Sequence, residues 1–558
     1  MTNSSKHRPV ASVRTVLVVA ASLALVAGAC SSSGGDEDTA TDVPVTVEEG
    51  AGAIGEGGGL IGLVSACPPA EPVEDPAADE VVETAVGVDD PDIDGLGDPA
   101  LADLGNPKID VTNYDLALTI DPEGDRIDAA VARLDVTAVE DIDEVALDFV
   151  GLDIASVAVG GETVDATRAD GKLVVPLGET LAAGEGTAID VCYSGVPKTI
   201  ATAAIFGAQT GWSGASGGSF VLSEPEAART WFPANEHPTD KATFTFTVTV
   251  PVGYVGLANG KLTAAPFACT GTLPEGPDDG TSEPCVPAGS EPPTEGRAKD
   301  TFRWEMPDPM APYLAVVLVG DYRRLVQPDV DGVPVEMWLP AESRPNDEKL
   351  FARQSEMLEF LVGKLGPFPF ENYGGAVLPG PADDAFLDTV AFEAQSMSIY
   401  GADAVIDEVL IHETAHQWVG DSVTLERWAR DLWWVEGFAT FAQWLWVEET
   451  EGAEEYAKQV QNAQFQILGE VDPLTDLEPT ALFSPLAYDG GALVFHSLRR
   501  ELGDELFFEF LRTFTRTYAH ANASTADLMA TANEVAGRDL SAFFSAWLDN
   551  TSRPTPPP

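Results

Sequence analysis

Basic residues are scarce in this chain. Its 558 residues include 30 Lys and Arg against 91 Asp and Glu, which gives a formal net charge of −61. A nucleic-acid-binding surface needs clustered basic side chains, so this composition argues against a nucleic-acid partner. Between residues 31 and 105 there is no Lys or Arg at all, and Asp, Glu, Gly, Pro and Ala dominate. Such a segment buries too little apolar area to offset the entropy of ordering, so residues 30–105 are predicted to be a flexible linker.

Long apolar runs are also lacking, apart from one near the N-terminus. A basic segment is followed there by an apolar core at residues 16–26, which is too short to span a bilayer comfortably. Residues 1–29 are therefore predicted to be a cleaved signal peptide. Cys30, followed by Ser and Gly residues, resembles the attachment site of a bacterial lipoprotein. A lipid on Cys30 would hold the protein on the outer face of the cytoplasmic membrane. Simple secretion is the alternative.

The chain has only five cysteines, and none of them are paired at zinc-finger spacing. If Cys30 carries lipid, four remain, and an even number in an exported chain indicates two disulfides. Cys269 and Cys285 flank a loop rich in Gly, Pro and acidic residues, which makes them the expected local pair. Cys67 would then pair with Cys192. The alternative is that some of these cysteines are free thiols.

Histidine is also scarce, with six in the whole chain. Two of them fall in His412-Glu413-Thr414-Ala415-His416. On a helix, residues four apart share a face, so both imidazoles can reach one cation. Glu413 lies beside them, where its carboxylate can take a proton from water, and Glu436 offers an anionic third ligand. Two His, one carboxylate and an open fourth position indicate a hydrolytic zinc site. The competing interpretation is an amphipathic helix with two surface histidines.

The hydrophobic pattern changes along the chain. Residues 106–324 contain short segments with period-two alternation, such as 114–120, 145–149 and 242–250, which predict a β-sandwich domain with a last strand at 314–319. Residues 325–550 show apolar spacing typical of helices. The tail 551–558 is rich in Pro and is expected to fray. The predicted helices are 348–365, 404–419, 432–449, 453–468, 491–502, 505–518 and 525–535.

The zinc motif and its surroundings resemble the aminopeptidase N-like family of gluzincins. The resemblance lies in the run from His412 to Trp418, in Asp431-Leu432-Trp433, and in Glu436-Gly437-Phe438-Ala439-Thr440. It implies an N-terminal β-sandwich domain followed by a thermolysin-like, mostly α catalytic domain, with one Zn²⁺ held by His412, His416 and Glu436. The spacing between the second His and the ligand Glu is one residue longer here than is usual in the family. The additional residue is expected between Arg427 and Val435, near the loop that joins the two helices, where an insertion is tolerated.

Two further segments match the family's substrate-binding signatures. Residues 389–395 occupy the place of its GAMEN loop, which implies that Ala391 and Glu393 bind substrate and that Glu393 holds the free α-amino group. The competing interpretation of Glu393 is an exposed loop acid. Residues 223–233 resemble the segment that reaches into the cleft from the β domain, where Glu224 matches the family's Glu and Glu226 is the weaker candidate. That segment could instead be a structural corner.

Tyr488 begins a segment, Tyr488-Asp489-Gly490-Gly491-Ala492, that resembles the start of a helix in the same family. By this resemblance its phenol would donate a hydrogen bond to the oxyanion formed during hydrolysis. A tyrosine that only packs at a helix start is the competing interpretation.

The function predicted from these features is that of an exported, zinc-dependent aminopeptidase. Glu413 would act as the general base and Tyr488 as the second catalytic residue, with peptides as substrates and a monomer as the expected state. One alternative is a zinc endopeptidase with the same chemistry. The other is a surface peptide-binding protein with a vestigial zinc site.

Overall fold

The structure is a computed structural model that describes residues 96, 98, 100–205, 208–265, 299–382, 386–470, 472–549 and 553–557. The predicted signal peptide, Cys30 and most of the linker lie outside these residues, as do Cys67, Cys269 and Cys285. The end of the predicted linker does not behave as a linker. Leu101 and Leu104 are buried, and Asp98 accepts a hydrogen bond from the backbone N–H of Trp428 at 2.7 Å. The burial of these leucines and the long-range hydrogen bond of Asp98 give the segment a defined position.

The first half of the chain is built from strands. Alternation explains several of them, because in Ala242–Pro251 the side chains of Phe244, Phe246 and Val248 are buried while Thr243 and Thr245 are partly exposed. In the described residues before 321 the strands are β1 (Ile109–Asp121), β2 (Arg126–Ala138), β3 (Ile142–Asp148), β4 (Asp153–Val159), β5 (Glu162–Val164), β6 (Thr167–Ala169), β7 (Lys172–Leu181), β8 (Gly186–Gly195), β9 (Thr199–Thr202), β10 (Ala208–Ala215), β11 (Gly218–Leu222), β12 (Ala242–Pro251), β13 (Val255–Ala258), β14 (Lys261–Ala264), β15 (Lys299–Met310) and β16 (Val317–Gly320).

These strands form three sheets. The largest has eight strands in the order β14-β15-β12-β1-β2-β8-β4-β5, with β1 and β12 parallel and their other neighbours antiparallel. A five-stranded sheet has the order β13-β16-β11-β10-β9, and a three-stranded sheet has the order β3-β7-β6. The predicted β-rich N-terminal domain is confirmed. The predicted last strand at 314–319 is shorter than expected, because Pro312–Leu314 forms a 3-10 turn before β16.

The second half begins with a mixed sheet that the sequence interpretation missed. Its strands are β17 (Tyr322–Val330), β18 (Val333–Pro340), β19 (Tyr373–Val377), β20 (Ala391–Phe392) and β21 (Met397–Tyr400), in the order β17-β18-β19-β21-β20. Strand β17 crosses the predicted boundary between residues 324 and 325, and its ladder partner is β18. Hydrogen bonding therefore places all of β17 with the second half of the chain. A further pair of short parallel strands consists of β22 (Val423–Leu425) and β23 (Ala521–Ala523).

Helices make up most of the second half, as predicted. In the described residues they are α1 (Pro345–Phe351), α2 (Gln354–Leu365), α3 (Asp407–His416), α4 (Trp428–Thr450), α5 (Ala453–Gln466), α6 (Gly491–Leu502), α7 (Asp504–Thr517), α8 (Thr525–Ala536) and α9 (Ser541–Leu548). The helix predicted at 348–365 is two helices. The helix predicted at 404–419 is shorter at both ends, because residues 402–404 form a 3-10 turn and a turn follows His416. The helix at 541–548 was not predicted.

Residues 553–557 of the C-terminal tail contact the helical half, contrary to the expectation that the tail frays. The carbonyl oxygen of Pro557 lies 2.8 Å from Nε2 of His496, and Nδ1 of the same ring lies 2.7 Å from the hydroxyl of Tyr456. Arg553 donates to the backbone carbonyl of Glu470. These contacts give the described part of the tail a defined place. The helices in the described ranges include none that is both long and apolar enough to cross a membrane.

Candidate metal centre

Helix α3 presents two histidines to one point. Ile406 precedes it in extended conformation, and Asp407 and Glu408 lie in its first turn, where negative charge favours the helix N-terminus. Four residues separate His412 from His416, so their rings share a face with centroids 4.7 Å apart. Both side chains are buried. The predicted geometry of the two-histidine motif is therefore present.

Helix α4 supplies the third group. Its buried residues include Leu432, Trp433 and Trp434, and Glu436 is a buried acid among them. One carboxylate oxygen of Glu436 lies 3.3 Å from Nε2 of His412 and 3.5 Å from Nε2 of His416. The extra residue does not displace this side chain. Helix α4 starts at Trp428, so the connection between α3 and α4 lies at residues 417–427 rather than at 427–435.

The distances within the triad fit a zinc ion. Zinc ligands at about 2.0–2.2 Å in a tetrahedral arrangement lie roughly 3.3 Å from one another. The Nε2–Oε2 separations of 3.3 and 3.5 Å match that edge. Nδ1 of His416 lies 3.1 Å from the carbonyl oxygen of Val419. A proton on that nitrogen leaves the lone pair of Nε2 directed at the centre, which is the usual arrangement of a metal-binding histidine. In the described part of the chain, His412, His416 and Glu436 form the one group with this geometry.

The charges around the triad also favour a cation. Burial raises the pKa of Asp421, Glu224 and Glu413 well above their usual range, and the neighbouring carboxylates raise it further. Burial would also raise the pKa of Glu436, but hydrogen bonds from the two histidines lower it below its usual value. Glu436 is thus an anionic side chain in a region crowded with acids. A divalent cation offsets this repulsion.

Glu413 lies on the same helix, directly after His412. It is 5% exposed, so its carboxyl group is shielded from bulk solvent. The charges of His416, Glu393 and Glu436 all act on it. The structure therefore places the predicted base beside the predicted metal.

Glu393 and Glu224 come from opposite halves of the chain and meet near the triad. A hydrogen bond with Glu224 lowers the pKa of Glu393, and the charge of Glu393 raises the pKa of Glu224. Burial raises the pKa of Glu393 to about 7. Glu393 is not the exposed loop acid of the competing interpretation, since only 4% of it is accessible. Two interacting carboxyl groups in a shielded site are suited to bind a cationic group.

Glu226 does not join this pair. Its side chain is fully buried and forms an ion pair with Arg229, with an Oε2–Nη2 distance of 2.5 Å. Nε of Arg229 also donates to the backbone carbonyl of Glu226. The prediction that Glu226 binds substrate is therefore wrong, because its carboxylate is used within the β-rich half. The corner interpretation describes Glu226 and Arg229, whereas the groups whose charges act on Glu224 include Glu393, Glu436 and Glu413.

Ala391 lies in β20, at the edge of the mixed sheet. The strand pairs on one side only, through Ala391 with Tyr400 and Phe392 with Ile399 of β21. Ala391 is partly exposed, and Glu393 follows two residues later. An edge strand offers backbone N–H and C=O groups to an extended peptide.

Tyr488 lies in a π-helical turn, Leu486–Gly490, that leads into α6. Its ring is nearly parallel to that of His412, with centroids 6.0 Å apart and an interplanar angle of 16°. Burial raises the pKa of its phenol well above the usual range, and the charges of Glu436 and Glu224 add to that shift. The hydroxyl thus keeps its proton and remains a hydrogen-bond donor next to the metal triad.

The sequence interpretation missed two residues of the site. Gln417 follows the zinc motif directly; its amide donates to the carbonyl of Glu393 at 2.9 Å and accepts from the N–H of Ser396 at 2.7 Å. It therefore holds the Glu393 loop on the motif helix. Tyr313 stacks edge-on against Trp428 at 4.9 Å, and the charge of Glu393 reaches its phenol. Neither contact has a spacing signal in the sequence, because each joins distant segments.

Comparisons with known proteins agree with this geometry. Residues 387–547 match the Peptidase family M1 domain, and residues 111–272 match the Peptidase M1 N-terminal domain. The chain is 26% identical over 359 residues to aminopeptidase N of Streptomyces lividans, covering 59% of this chain and 38% of that protein. It is 25% identical over 355 residues to aminopeptidase M1 of Arabidopsis thaliana, covering 59% and 36%. The chain thus spans well under half the length of these curated relatives.

Similar solved structures extend over more of the chain. The crystal structure of an M1 zinc metallopeptidase from Deinococcus radiodurans has 28% identity and a TM-score of 0.72, covering 83% of this chain and 99% of that chain. A mutant of an enzyme from the same organism, bound to a Tyr-Ser-Ala substrate, has 28% identity, a TM-score of 0.71 and coverage of 83% and 100%. A two-domain M1 zinc metallopeptidase mutant bound to L-arginine has 30% identity and a TM-score of 0.71, again covering 83% and 100%.

Proposed function

Because this chain belongs to the M1 family of zinc metallopeptidases, we propose that it is a zinc-dependent aminopeptidase that removes N-terminal residues from peptides. One observation carries the proposal. The hydrogen-bonded carboxyl groups of Glu224 and Glu393 lie beside the His412–His416–Glu436 triad. A site for an ammonium group next to a site for a hydrolytic metal is what an aminopeptidase requires.

The carboxyl pair explains why hydrolysis would begin at the N-terminus. A free α-amino group is cationic near neutral pH, and it would take the place of the proton shared by Glu224 and Glu393, so that both carboxylates bind it as anions. Holding that group fixes the first residue of the peptide relative to the triad. Only the first peptide bond would then reach the reacting position, and positioning of this kind is a large part of the rate enhancement.

The chemistry follows from the surrounding side chains. Zinc held by His412, His416 and Glu436 would supply Lewis acidity, lowering the pKa of a water molecule and polarising the scissile carbonyl. Glu413 accepts the proton of the attacking water and later gives it to the leaving amine. Tyr488 donates its hydroxyl proton in a hydrogen bond to the oxyanion that develops on the carbonyl oxygen. Ala391 offers the backbone of the edge strand to the substrate's own backbone.

Hydrolysis of paired substrates tests the proposal. Purified protein would be assayed on peptides with a free N-terminus and on the same peptides N-acetylated, before and after chelation and after zinc is restored. We expect only the peptides with a free N-terminus to be cleaved, with residues released from that end one at a time. We also expect chelation to abolish the activity and added zinc to restore it.

The two alternatives give different results in the same assay. A zinc endopeptidase would cleave acetylated peptides at internal bonds, since it has no need of the ammonium group. A peptide-binding protein with a vestigial centre would bind the peptides without cleaving them. Either outcome would contradict the proposed aminopeptidase.

We further propose a single zinc ion per chain and a monomeric enzyme. The proposal of one ion is supported by the single group of three metal-binding side chains found within the described residues. The proposed site residues all come from one chain, so catalysis does not require a second copy. Metal analysis combined with light scattering would test both points, and a second equivalent of tightly bound zinc or a dimer would contradict them.

Export with a lipid on Cys30 is also a proposal, which rests on the sequence of residues 1–35. Secretion without lipid is its alternative. Cys30→Ala would release a lipoprotein into the medium, whereas the distribution of a secreted protein would not change. The proposed Cys67–Cys192 disulfide is supported by Cys192, which is disulfide-bonded rather than a free thiol. Peptide mapping under non-reducing conditions would identify its partner.

A further inference from the structure

Lys241 connects the two halves of the chain close to the metal centre. It lies directly before β12 in the β-rich half, and its side chain reaches the helical half. The ammonium nitrogen donates to the backbone carbonyls of Asp421 at 2.8 Å and Ser422 at 3.1 Å, and it lies 3.5 Å from the carbonyl oxygen of Ala521. Three carbonyls from two segments thus meet the three donors of one ammonium group.

Lys241 joins two segments, the turn after helix α3 and the two-stranded sheet formed by β22 and β23. The first of these is also held by backbone hydrogen bonds from Asp421 to His416 and from Ser422 to Gln417. A two-stranded sheet of three residues per strand is marginal by itself. The amide of Asn522 adds a second contact across the same junction by donating to the carbonyl of Pro238 at 2.9 Å. Lys241 is therefore the central hydrogen-bond donor of a small junction between the two halves of the chain at this turn.

The turn that follows helix α3 contacts His416, the last residue of that helix. The backbone N–H of Asp421 donates to the carbonyl of His416 at 3.0 Å, and Nδ1 of the His416 ring lies 3.1 Å from the carbonyl of Val419. Gly420 has a φ of +138°, and a Cβ atom there would lie 2.8 Å from the same Nδ1. The imidazole is thus in close contact with the turn, so a shift of the turn shifts the ring.

We propose that Lys241 is a positioning residue for the metal centre, which fixes the turn at residues 420–422 and through it the orientation of the His416 imidazole. This inference rests on the metal triad of the proposed function. It assigns to the β-rich half a role in holding the metal, although all three ligands come from helices α3 and α4. Removal of a residue that orients a metal ligand typically lowers metal affinity by about 10–100-fold.

Burial of Asp421 makes the turn sensitive to the loss of these contacts. Both carboxylate oxygens of Asp421 are buried and have no hydrogen-bond partner among the described residues. Without Lys241, three backbone carbonyls lose their donor at the same turn, which destabilises the observed conformation.

The test compares two lysine substitutions in purified, zinc-loaded full-length protein. Lys241→Met removes the donors and keeps a long apolar stem. Lys172→Met is the matched control, since Lys172 is also largely shielded in the β-rich half and pairs with Asp148. Two quantities would be measured for each protein: the rate at which zinc is transferred to an excess of a chromophoric chelator, and the melting temperature. We expect at least a 10-fold faster release from the Lys241→Met protein, and release at the wild-type rate from the control despite a lower melting temperature.

A conservative replacement and a spectrum separate positioning from general destabilisation. Lys241→Arg keeps donors for the carbonyls, so its zinc release should be closer to the wild-type rate than that of Lys241→Met. In the cobalt-substituted protein, the visible bands should change for Lys241→Met and not for the control. Should Lys241→Met fail to fold, Lys241→Gln would take its place in the same comparison. Wild-type zinc release and an unchanged cobalt spectrum in the substituted protein would overturn the inference, and neither readout depends on peptide hydrolysis.

Discussion

Gly437 and Gly491 lie backbone to backbone where helices α4 and α6 cross. A Cβ atom on Gly437 would come within 2.5 Å of two backbone atoms of Gly491, and one on Gly491 would lie 2.1 Å from the carbonyl oxygen of Trp433. Gly437 directly follows the proposed ligand Glu436, and Gly491 lies three residues after Tyr488. The approach of these two glycines therefore sets the distance between a metal ligand and the proposed oxyanion donor.

Gly437→Ala should impair the enzyme because the added methyl group has no space. The helices must move apart, at a cost of about 1–3 kcal/mol in the free energy of unfolding. A displacement of Tyr488 of about 1 Å is enough to lower kcat on the order of 10²-fold. Gly363→Ala in helix α2 is the control, because a Cβ there meets nothing within 4 Å. It should raise stability by about 0.5–1 kcal/mol and leave kcat unchanged. If Gly437→Ala and Gly363→Ala had the same free energy of unfolding in urea and the same kcat, the proposed role of the glycine contact would be contradicted.

Glu413→Gln should retain zinc and lose turnover. The amide keeps the shape of the side chain but cannot accept the proton of the attacking water, so kcat should fall about 10²–10⁴-fold. Metal content by mass spectrometry and kcat on an aminoacyl amide would be measured together. Glu408→Gln, in the first turn of the same helix, should change neither. A Glu413→Gln protein with near wild-type turnover would remove Glu413 as the base.

Tyr488→Phe should affect the transition state alone. Phenylalanine preserves the ring beside His412 but removes the hydroxyl donor, so kcat should fall by roughly 10²–10³-fold with little change in KM. Zinc content should remain that of the wild type. An increase in KM at constant kcat would instead indicate that Tyr488 packs against substrate.

Glu224 and Glu226 should respond differently to the same change. Glu224→Gln weakens the ammonium site, and losing a charged hydrogen bond of about 1.5–3 kcal/mol should raise KM for free peptides about 10–100-fold. Glu226→Gln breaks a buried pair with Arg229 and should lower stability by about 3–5 kcal/mol without changing KM. Steady-state kinetics and thermal unfolding of both variants decide the assignment. A raised KM in the Glu226 variant would restore it as a substrate residue.

The local part of the site was predictable from the sequence. The four-residue spacing of His412 and His416 fixes their shared face through the helix repeat alone. Glu436 was predictable because an acid within an apolar helix needs a partner. Glu393, Glu224 and Tyr488 required the family resemblance, since no spacing rule joins residues so far apart in the chain.

The parts that escaped prediction depend on contacts between distant segments. Gln417, Tyr313 and Lys241 look ordinary in sequence, and each acquires its role from a carbonyl, ring or carboxylate contributed by another element. Glu226 was assigned to the cleft because nothing local indicates that it pairs with Arg229. The mixed sheet was missed because its strands β19, β20 and β21 are short and fully or largely buried, so they lack clear alternation.

Zinc content per chain in the wild type and in Glu436→Ala tests the central claim most directly. After dialysis against a weak chelator, the wild-type protein should retain one equivalent of zinc. Glu436→Ala keeps both histidines and the fold but loses the anionic ligand, so it should retain almost none under the same conditions. Equal retention by the two proteins would contradict a centre built from His412, His416 and Glu436.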